Sequence, residues 1–378
     1  MKLWKRLLLA SVLAALHLLV LSGASYLQSV PLLFWPSLAL RTVALVLAAP
    51  ALGLRGLMDL KIGLAVPTWL CFWVSHLVLL YLMDRLRAVR RVFKSPTVRS
   101  RRVLFAGTGV ALVGATGVAR ETTHMEVRRR NLPLKDLPPE LLGLRIALLA
   151  DLHRGPAVSQ GFLEEVLERV NSLKPDIVLM PGDFVSKSRS YYPDLEIALG
   201  RLSPTIGSFA TLGNHDIWEG REEAMAALSS AGVHTLQNRA LFLSPQRQLS
   251  EQPNGGLCLA GVDDLWSGEP DLKLALESVP RNLPVILLSH NPDLAESDDA
   301  KEFRVDLQVS GHTHGGQIVL PGIGALATAS AHGTKYLSGW NEGPYWPVYT
   351  TVGVGTSSIP VRVGASPEIV VFTTMASC

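Results

Sequence analysis

Cysteine is scarce in this 378-residue chain, and Cys71, Cys258 and Cys378 form no CxxC pair. That excludes a thiolate metal set and a disulfide framework, leaving only a Cys258–Cys378 bridge open. Charge is scarce as well: Asp, Glu, Lys and Arg make up 18% of the chain against 48% hydrophobic residues, with a mean hydropathy of +0.26. Such a balance excludes a disordered chain and places part of it in a membrane. Acidic residues are nearly missing from residues 1–142, which hold 19 Lys and Arg against 6 Asp and Glu, a net +13. The rest holds 16 against 26, a net −10, so the overall +3 conceals two unlike halves. The acidic half lacks the basic surface that a nucleic-acid partner needs. Internal repeats and low-complexity tracts are absent.

What the first half does contain is apolar sequence at Leu7–Leu21, Pro31–Leu54 (interrupted by Arg41), Ile62–Met83 and Val103–Ala119. A spanning helix needs roughly 20 apolar residues, so residues 1–120 are expected to form three or four transmembrane helices, with Ile62–Met83 the clearest. The stretch DRLRAVRRVFKSPTVRSRR, with eight Lys or Arg and one Asp, belongs in the cytoplasm by the positive-inside rule. Ser100–Phe105 resembles an internal twin-arginine export signal, or else is an ordinary basic helix flank. Lys2, Lys5 and Arg6 also favour a cytoplasmic N-terminus, and three full spans would then place the basic loop outside. A segment split by Arg41, Pro36 and Pro50 that does not cross would reconcile the two. The expectation is a multi-pass protein of the inner cell membrane whose acidic half faces outward. Residues 121–142, with Arg128–Arg130 and Pro133, Pro138 and Pro139, read as a juxtamembrane linker. The basic triplet would sit on anionic headgroups or in solvent.

Residues 143–375 read as one globular domain. Short apolar runs recur there, each ending in polar chemistry: RIALLAD (145–151), DIVLMPGD (176–183), FATLGNHD (209–216), VILLSHNP (285–292) and VDLQVSGHTH (305–314). Continuous rather than alternating hydrophobicity predicts strands buried on both faces. SQGFLEEVLERVNSLKP puts Phe162, Leu163, Val166, Leu167 and Val170 on one helical face, closed by Pro175. Helices are also expected at Arg221–Ala231 and Asp271–Val279. The runs LCLAGVDDLW, PVYTTVGVG and PEIVVFTT lack intervening helices and suggest a second sheet. The predicted fold class is α/β, two sheets packed as a sandwich and flanked by helices, with polar groups gathered at strand ends.

Those strand ends carry Asp151, His153, Asp183, Asn214, His215, His290, His312 and His314. Alternation along an extended chain would aim Asp151 with His153, and His312 with His314, into one cleft. Carboxylates, imidazoles and an amide without thiolate suit Mn, Fe or Zn rather than Mg. Seven ligands are too many for one ion and right for two bridged by a carboxylate, an arrangement that activates water for displacement at phosphorus.

The ordered series DLH, PGD, GNHD, a lone His after a buried strand, and GHTH resembles the calcineurin-like metallophosphoesterase superfamily across residues 143–375. GHTHGGQ followed by GTKYLSGW and IPVRVGASPEIVVF is similar to a bacterial membrane-attached branch, whose relatives include UDP-2,3-diacylglucosamine hydrolases. The resemblance implies that Asp151, His153, Asp183 and His314 hold one divalent ion. Asp183, Asn214, His290 and His312 would hold the second, with Asp183 bridging. It further implies that His215 is the general acid and that Asp216 orients it and keeps it protonated. Arg154 stands where relatives often carry an apolar residue, as a phosphate contact or a surface charge.

The expected function is a membrane-anchored, two-metal phosphoesterase acting on phosphoester or pyrophosphate bonds. Its partners would be the lipid bilayer and a phosphorylated or lipid-linked small molecule, either UDP-2,3-diacylglucosamine-like or phospholipid-like. An outward-facing domain favours an undecaprenyl or phospholipid phosphate, because UDP-sugar lipids are made in the cytoplasm. Trp218, Trp266, Trp340, Tyr345 and Trp346 would line an acyl entrance or pack in the core. The alternatives are a nuclease or protein phosphatase on the same metal set, and a non-catalytic sensor or scaffold, which would have lost ligands.

Overall fold

Apolar runs that are buried on both faces have to be covered on both, and the chain achieves this with two sheets face to face and helices outside each. The computed structural model describes residues 122, 124–357 and 359–377. The expected membrane helices of residues 1–120 lie outside the described residues, and among the described residues no helix is long and apolar enough to cross a membrane.

The first sheet runs in the order β1 (Glu126–Leu134), β15 (Glu368–Ala376), β2 (Arg145–Leu148), β3 (Ile177–Pro181), β4 (Gly207–Thr211), β5 (Val233–Thr235). Strands β2 to β5 are mutually parallel, while β15 is antiparallel to β2. The second sheet runs β13 (Gly339–Glu342), β14 (Pro347–Thr350), β10 (Leu307–Ser310), β9 (Val285–Leu288), β8 (Leu257–Gly261), β6 (Arg239–Leu243), β7 (Leu249–Ser250). Its centre, β14, β10, β9 and β8, is parallel.

Between the sheets, Ile146, Leu148, Ile177, Leu179 and Phe209 meet Leu241, Leu243, Leu259, Ile286, Leu288 and Val309 in one cluster. Burying each such side chain contributes about 1.5–3 kcal/mol. The outer face of the first sheet is covered by α1 (Gln160–Ser172), α2 (Tyr192–Leu199) and α3 (Asn214–Ser230). The outer face of the second is covered by the short α4 (Leu272–Leu276) and irregular segments around Leu294 and Tyr336. Helix α1 forms as its pattern predicts: Ser159 caps it by accepting from Phe162 N, and Leu163, Val166, Leu167 and Val170 are buried.

Two expectations need correction. The segment read as a linker contains β1, which pairs in parallel with β15 from Glu126↔Glu368 to Leu134↔Ala376. Leu132, Leu134, Leu137 and Leu141 enter the core, so folded structure begins well before residue 143. Within it Arg128 forms ion pairs with Glu126 and the buried Glu368 rather than standing as a free surface charge. The run PEIVVFTT, in turn, belongs to the first sheet and not the second.

Candidate metal centre

Every residue expected at the site leaves the C-terminal end of a parallel strand: Asp151 and His153 after β2, Asp183 after β3, Asn214 and His215 after β4, His290 after β9, His312 and His314 after β10. Neighbouring loops stay hydrogen-bonded beyond the strands, Asp151 N donating to Gly182 O (3.1 Å) and His153 N to Asp183 O (3.0 Å). The aiming device is not extended alternation. Asp151, His153, Asp183, His312 and His314 have φ of 53°, 46°, 58°, 71° and 53°. Left-handed backbone in residues with a Cβ costs of order 1 kcal/mol or more each and persists where surrounding structure enforces it.

The glycines of these loops are required by close approach. A Cβ on Gly311 would lie 2.3 Å from Asp151 Oδ2, and one on Gly353, whose φ is +69°, 2.6 Å from Asp151 Cβ. A Cβ on Gly213 would lie 2.3 Å from Asp183 Oδ1. Each carboxylate is thus walled by backbone from a different loop, and no larger residue fits there.

The ligating atoms of Asp151, His153 and His314 lie within 4.8 Å of one another, as do those of Asp151, Asp183 and His290, and of His153, Asp183 and His215. His153 Nε2 and His314 Nε2 are 3.0 Å apart. They lie 4.0 and 3.6 Å from Asp151 Oδ1. Atoms about 2.0–2.2 Å from a shared ion are separated by about 3.0–4.3 Å, which matches these spacings. Asp183 Oδ2 sits 3.4 Å from His153 Nε2 and 3.3 Å from His290 Nε2, the position of a bridging oxygen. Two further atoms complete the fit: Asn214 Oδ1 is buried without a hydrogen bond, and His312 Nδ1 lies 3.1 Å from His290 Nε2. An orphaned atom such as Asn214 Oδ1 is costly unless something else binds it. The donor set therefore suits two divalent ions.

Two of the remaining ring nitrogens are anchored as metal-bound imidazoles require. His290 Nδ1 contacts Pro181 O at 2.7 Å, and His153 Nδ1 contacts the Ser186 hydroxyl. His314 Nδ1 lies 3.3 Å from Arg362 Nη2, a donor, and so gains no acceptor there when the ring ligates through Nε2. Arg362 is fully buried and donates to the carbonyls of Gly355, Ala365 and Val352. Its place beneath His314 was not foreseen; it sits inside the quoted segment IPVRVG, where nothing local marks it as buried. Burial lowers the pKa of His153 and His312 to about 3, so both rings are neutral and offer a lone pair. For Asp183, burial raises the pKa, but attraction to His290 and its hydrogen bond outweigh that and hold the carboxyl well below the usual range.

Two residues behave differently from expectation. Asp216 does not orient His215: its carboxylate accepts from Gly213 N (2.9 Å), Asp183 N (2.8 Å), Phe184 N (2.9 Å) and Val185 N (3.3 Å). Both oxygens are spent clipping the Asp183 loop to the start of α3. His215 instead lies edge-on to His153, ring centroids 4.8 Å apart, and its Nδ1 has no partner. Arg154 is held by Asp194 (2.6 Å) and by carbonyls of its own loop, under the Tyr191 ring, so it is no phosphate contact. Of the five aromatic residues, Trp346 is core, donating to Gln308 Oε1 (2.9 Å). Trp340 meets Tyr349 and Phe372 edge to face. Cys258 is a free, buried thiol.

A profile of the calcineurin-like phosphoesterase family matches residues 144–316. The chain is 31% identical to "Transmembrane protein with metallophosphoesterase domain" of Danio rerio over 76% of its own length and 65% of that relative's. It is 30% identical to "Uncharacterized metallophosphoesterase YkuE" of Bacillus subtilis (strain 168), over 69% of its own length and 90% of the other. With "Phosphodiesterase YaeI" of Escherichia coli (strain K12) it shares 34% identity over 60% and 80%. Carrying both the family's sequence and a two-metal donor set built on strand ends, the chain belongs to the calcineurin-like phosphoesterases.

Proposed function

We propose that the protein is a membrane-tethered, two-metal hydrolase of phosphoesters whose substrate is lipid-linked. The observation that carries the catalytic part is Asp183 Oδ2 placed between His153 Nε2 and His290 Nε2. Asp151, His153, Asp183 and His314 would hold one ion of the Mn, Fe or Zn type, and Asp183, Asn214, His290 and His312 the other. Such a pair supplies an activated water and charge compensation at phosphorus. The chain's own part is to hold both ligand sets rigid through glycine-walled loops. His215, half-buried beside His153 with an unpartnered Nδ1, delivers a proton to the departing oxygen.

Membrane tethering is supported by the apolar stretches of residues 1–120 and by the word "transmembrane" in a relative's name. The described domain adds support. Ile323, Leu326 and Ile359 are exposed. Ile323 and Leu326 belong to the β11 (Val319–Leu320) and β12 (Gly324–Ala325) hairpin that follows His314, and this hairpin is bridged to Val363 through Ile318. Thr122, three residues beyond the last apolar stretch, accepts from Arg362 N at 3.0 Å. The chain therefore enters this domain beside exposed apolar side chains and one short loop from the metal centre. That arrangement suits a headgroup presented at a lipid surface.

Full-length protein in detergent should hydrolyse bis-p-nitrophenyl phosphate with Mn supplied and lose the activity to chelator. His215→Ala should lower kcat by about 10²–10⁴-fold while metal content stays unchanged. Metal-independent turnover, or none in any metal, would sink the hydrolase reading in favour of a scaffold. A reporter fused just after Ala119 should report an extracytoplasmic position; a cytoplasmic result overturns that topology and favours a UDP-lipid substrate.

A further inference from the structure

Two tryptophans are left over by the metal centre and yet touch it. Trp218 is 59% and Trp266 52% exposed, unusual for the largest apolar side chain. The Trp218 ring lies 4.9 Å from that of His215, and the Trp266 ring stands edge-on to His312 at 4.2 Å. His215 contacts His153 at 4.8 Å and His312 contacts His290 at 4.9 Å, centroid to centroid. Asp183 joins His153 to His290. One unbroken series of contacts thus runs Trp218, His215, His153, Asp183, His290, His312, Trp266, with an exposed indole at each end.

The backbone that carries each indole is pinned. The buried Asp264 accepts from Trp266 N (3.0 Å) and Ser267 N (2.8 Å), fixing the turn that carries Trp266. Arg221, three residues beyond Trp218, grips Asp263 through both guanidinium nitrogens (3.1 and 2.9 Å). That bidentate pair ties the two tryptophan-bearing segments together. An apolar surface kept exposed on a pinned backbone beside a polar reaction centre marks a recognition surface.

We propose that Trp218 and Trp266 are specificity walls, one at each end of this series of contacts through the metal centre, and that the substrate is a phosphodiester with an apolar or planar group on each side of phosphorus. This rests on the hydrolase reading and narrows it, because a phosphomonoester would leave one wall without a partner. The water oxygen bonds to phosphorus as the P–O bond to the group beside Trp218 breaks. The departing oxygen takes a proton from His215, the water gives up a proton to solvent, and the group beside Trp266 stays on the monoester product.

The test uses the full-length, Mn-loaded protein with phenyl p-nitrophenyl phosphate and methyl p-nitrophenyl phosphate, which share a leaving group and differ in the retained one. Wild type should prefer the phenyl diester in kcat/KM. Trp266→Ala should cut that phenyl-over-methyl ratio about tenfold, the scale of one aromatic contact. Trp266→Phe should restore most of it, and Trp218→Ala should leave the ratio within about twofold while lowering both rates. Calorimetric binding of phenylphosphonate and methylphosphonate provides a readout without turnover. If no diester is cleaved but phenylphosphonate binds tighter through Trp266, the hydrolase reading fails and the aromatic wall stands. A ratio and a phosphonate preference indifferent to both tryptophans overturn the proposal, as does p-nitrophenyl phosphate turned over as well as the phenyl diester.

Discussion

Asp151 and Asp183 leave adjacent parallel strands with nearly the same backbone conformation, and both are buried, but their surroundings push them in opposite directions. Burial pushes the Asp151 pKa up to about 7, with the Asp183 charge adding to the rise. Asp183 stays ionised because His290 and His153 flank it. Asp151 instead is walled by Gly311 and Gly353 and accepts one backbone bond, from His312 N, shared between its oxygens at 3.0 and 3.2 Å. The difference is that of a bridging and a terminal carboxylate. One is held charged by His290 before any metal arrives; the other keeps its proton up to about pH 7.

The strongest way to break this comparison is to neutralise each carboxylate separately. Asp183→Asn should remove ligation from both ions, leaving little bound metal by elemental analysis and activity down by on the order of 10³-fold or more, since the charge compensation at phosphorus goes with the ions. Asp151→Asn should leave about one ion bound and a smaller loss. Equal metal loss in the two variants would abolish the distinction between bridge and terminus.

Gly353→Ala is the next largest. Its Cβ would intrude on Asp151 and leave Asp183 alone. Metal affinity at the Asp151 side should fall about 10–100-fold, the usual scale for disturbing a ligand's support. Gly161→Ala, in α1 with open space around the new methyl, serves as the control and should be neutral or stabilising by up to about 1 kcal/mol.

Asp216→Ala acts on the other side of the comparison. It strips the acceptor from the backbone N–H groups that hold the Asp183 loop. The expected cost is about 1–3 kcal/mol for each buried N–H left unpaired, visible in chemical denaturation of the metal-free protein. An activity loss without destabilisation would restore Asp216 to a direct role at His215.

Much of this was legible in the chain because ligand identity and strand ends are local patterns. Five continuous apolar runs each became a parallel strand, and α1 formed on its expected face. The pairing of strands far apart in sequence is not local. β1 looked like a linker because Arg128–Arg130 sit at a sheet edge with one face in solvent, and its partner lies at the far end of the chain. The left-handed backbone of the ligands was hidden for another reason: Asp and His are enriched at positive φ among residues with a Cβ, but most of them still adopt negative φ. Asp216 was misassigned because adjacency to His215 in sequence says nothing about helix-cap geometry, which turns its carboxylate toward Gly213 and the Asp183 loop.

The smallest effect is a count of protons. In the metal-free protein His290 has a pKa raised to about 10: burial lowers it, but the Asp183 carboxylate outweighs burial. At pH 8 metal loading must therefore displace the His290 proton, while Asp151, raised to about 7, is already mostly ionised. At pH 6 the Asp151 carboxyl also carries a proton, and the ion has to displace both. Metal affinity should consequently weaken more steeply below pH 7 than above it, by about one further tenfold per pH unit. Calorimetry in two buffers of different ionisation enthalpy should give more protons released per protein at pH 6 than at pH 8. In Asp151→Asn that excess should vanish while the release at pH 8 remains; an excess that persists would mean that the extra proton belongs elsewhere and that the two carboxylates are alike.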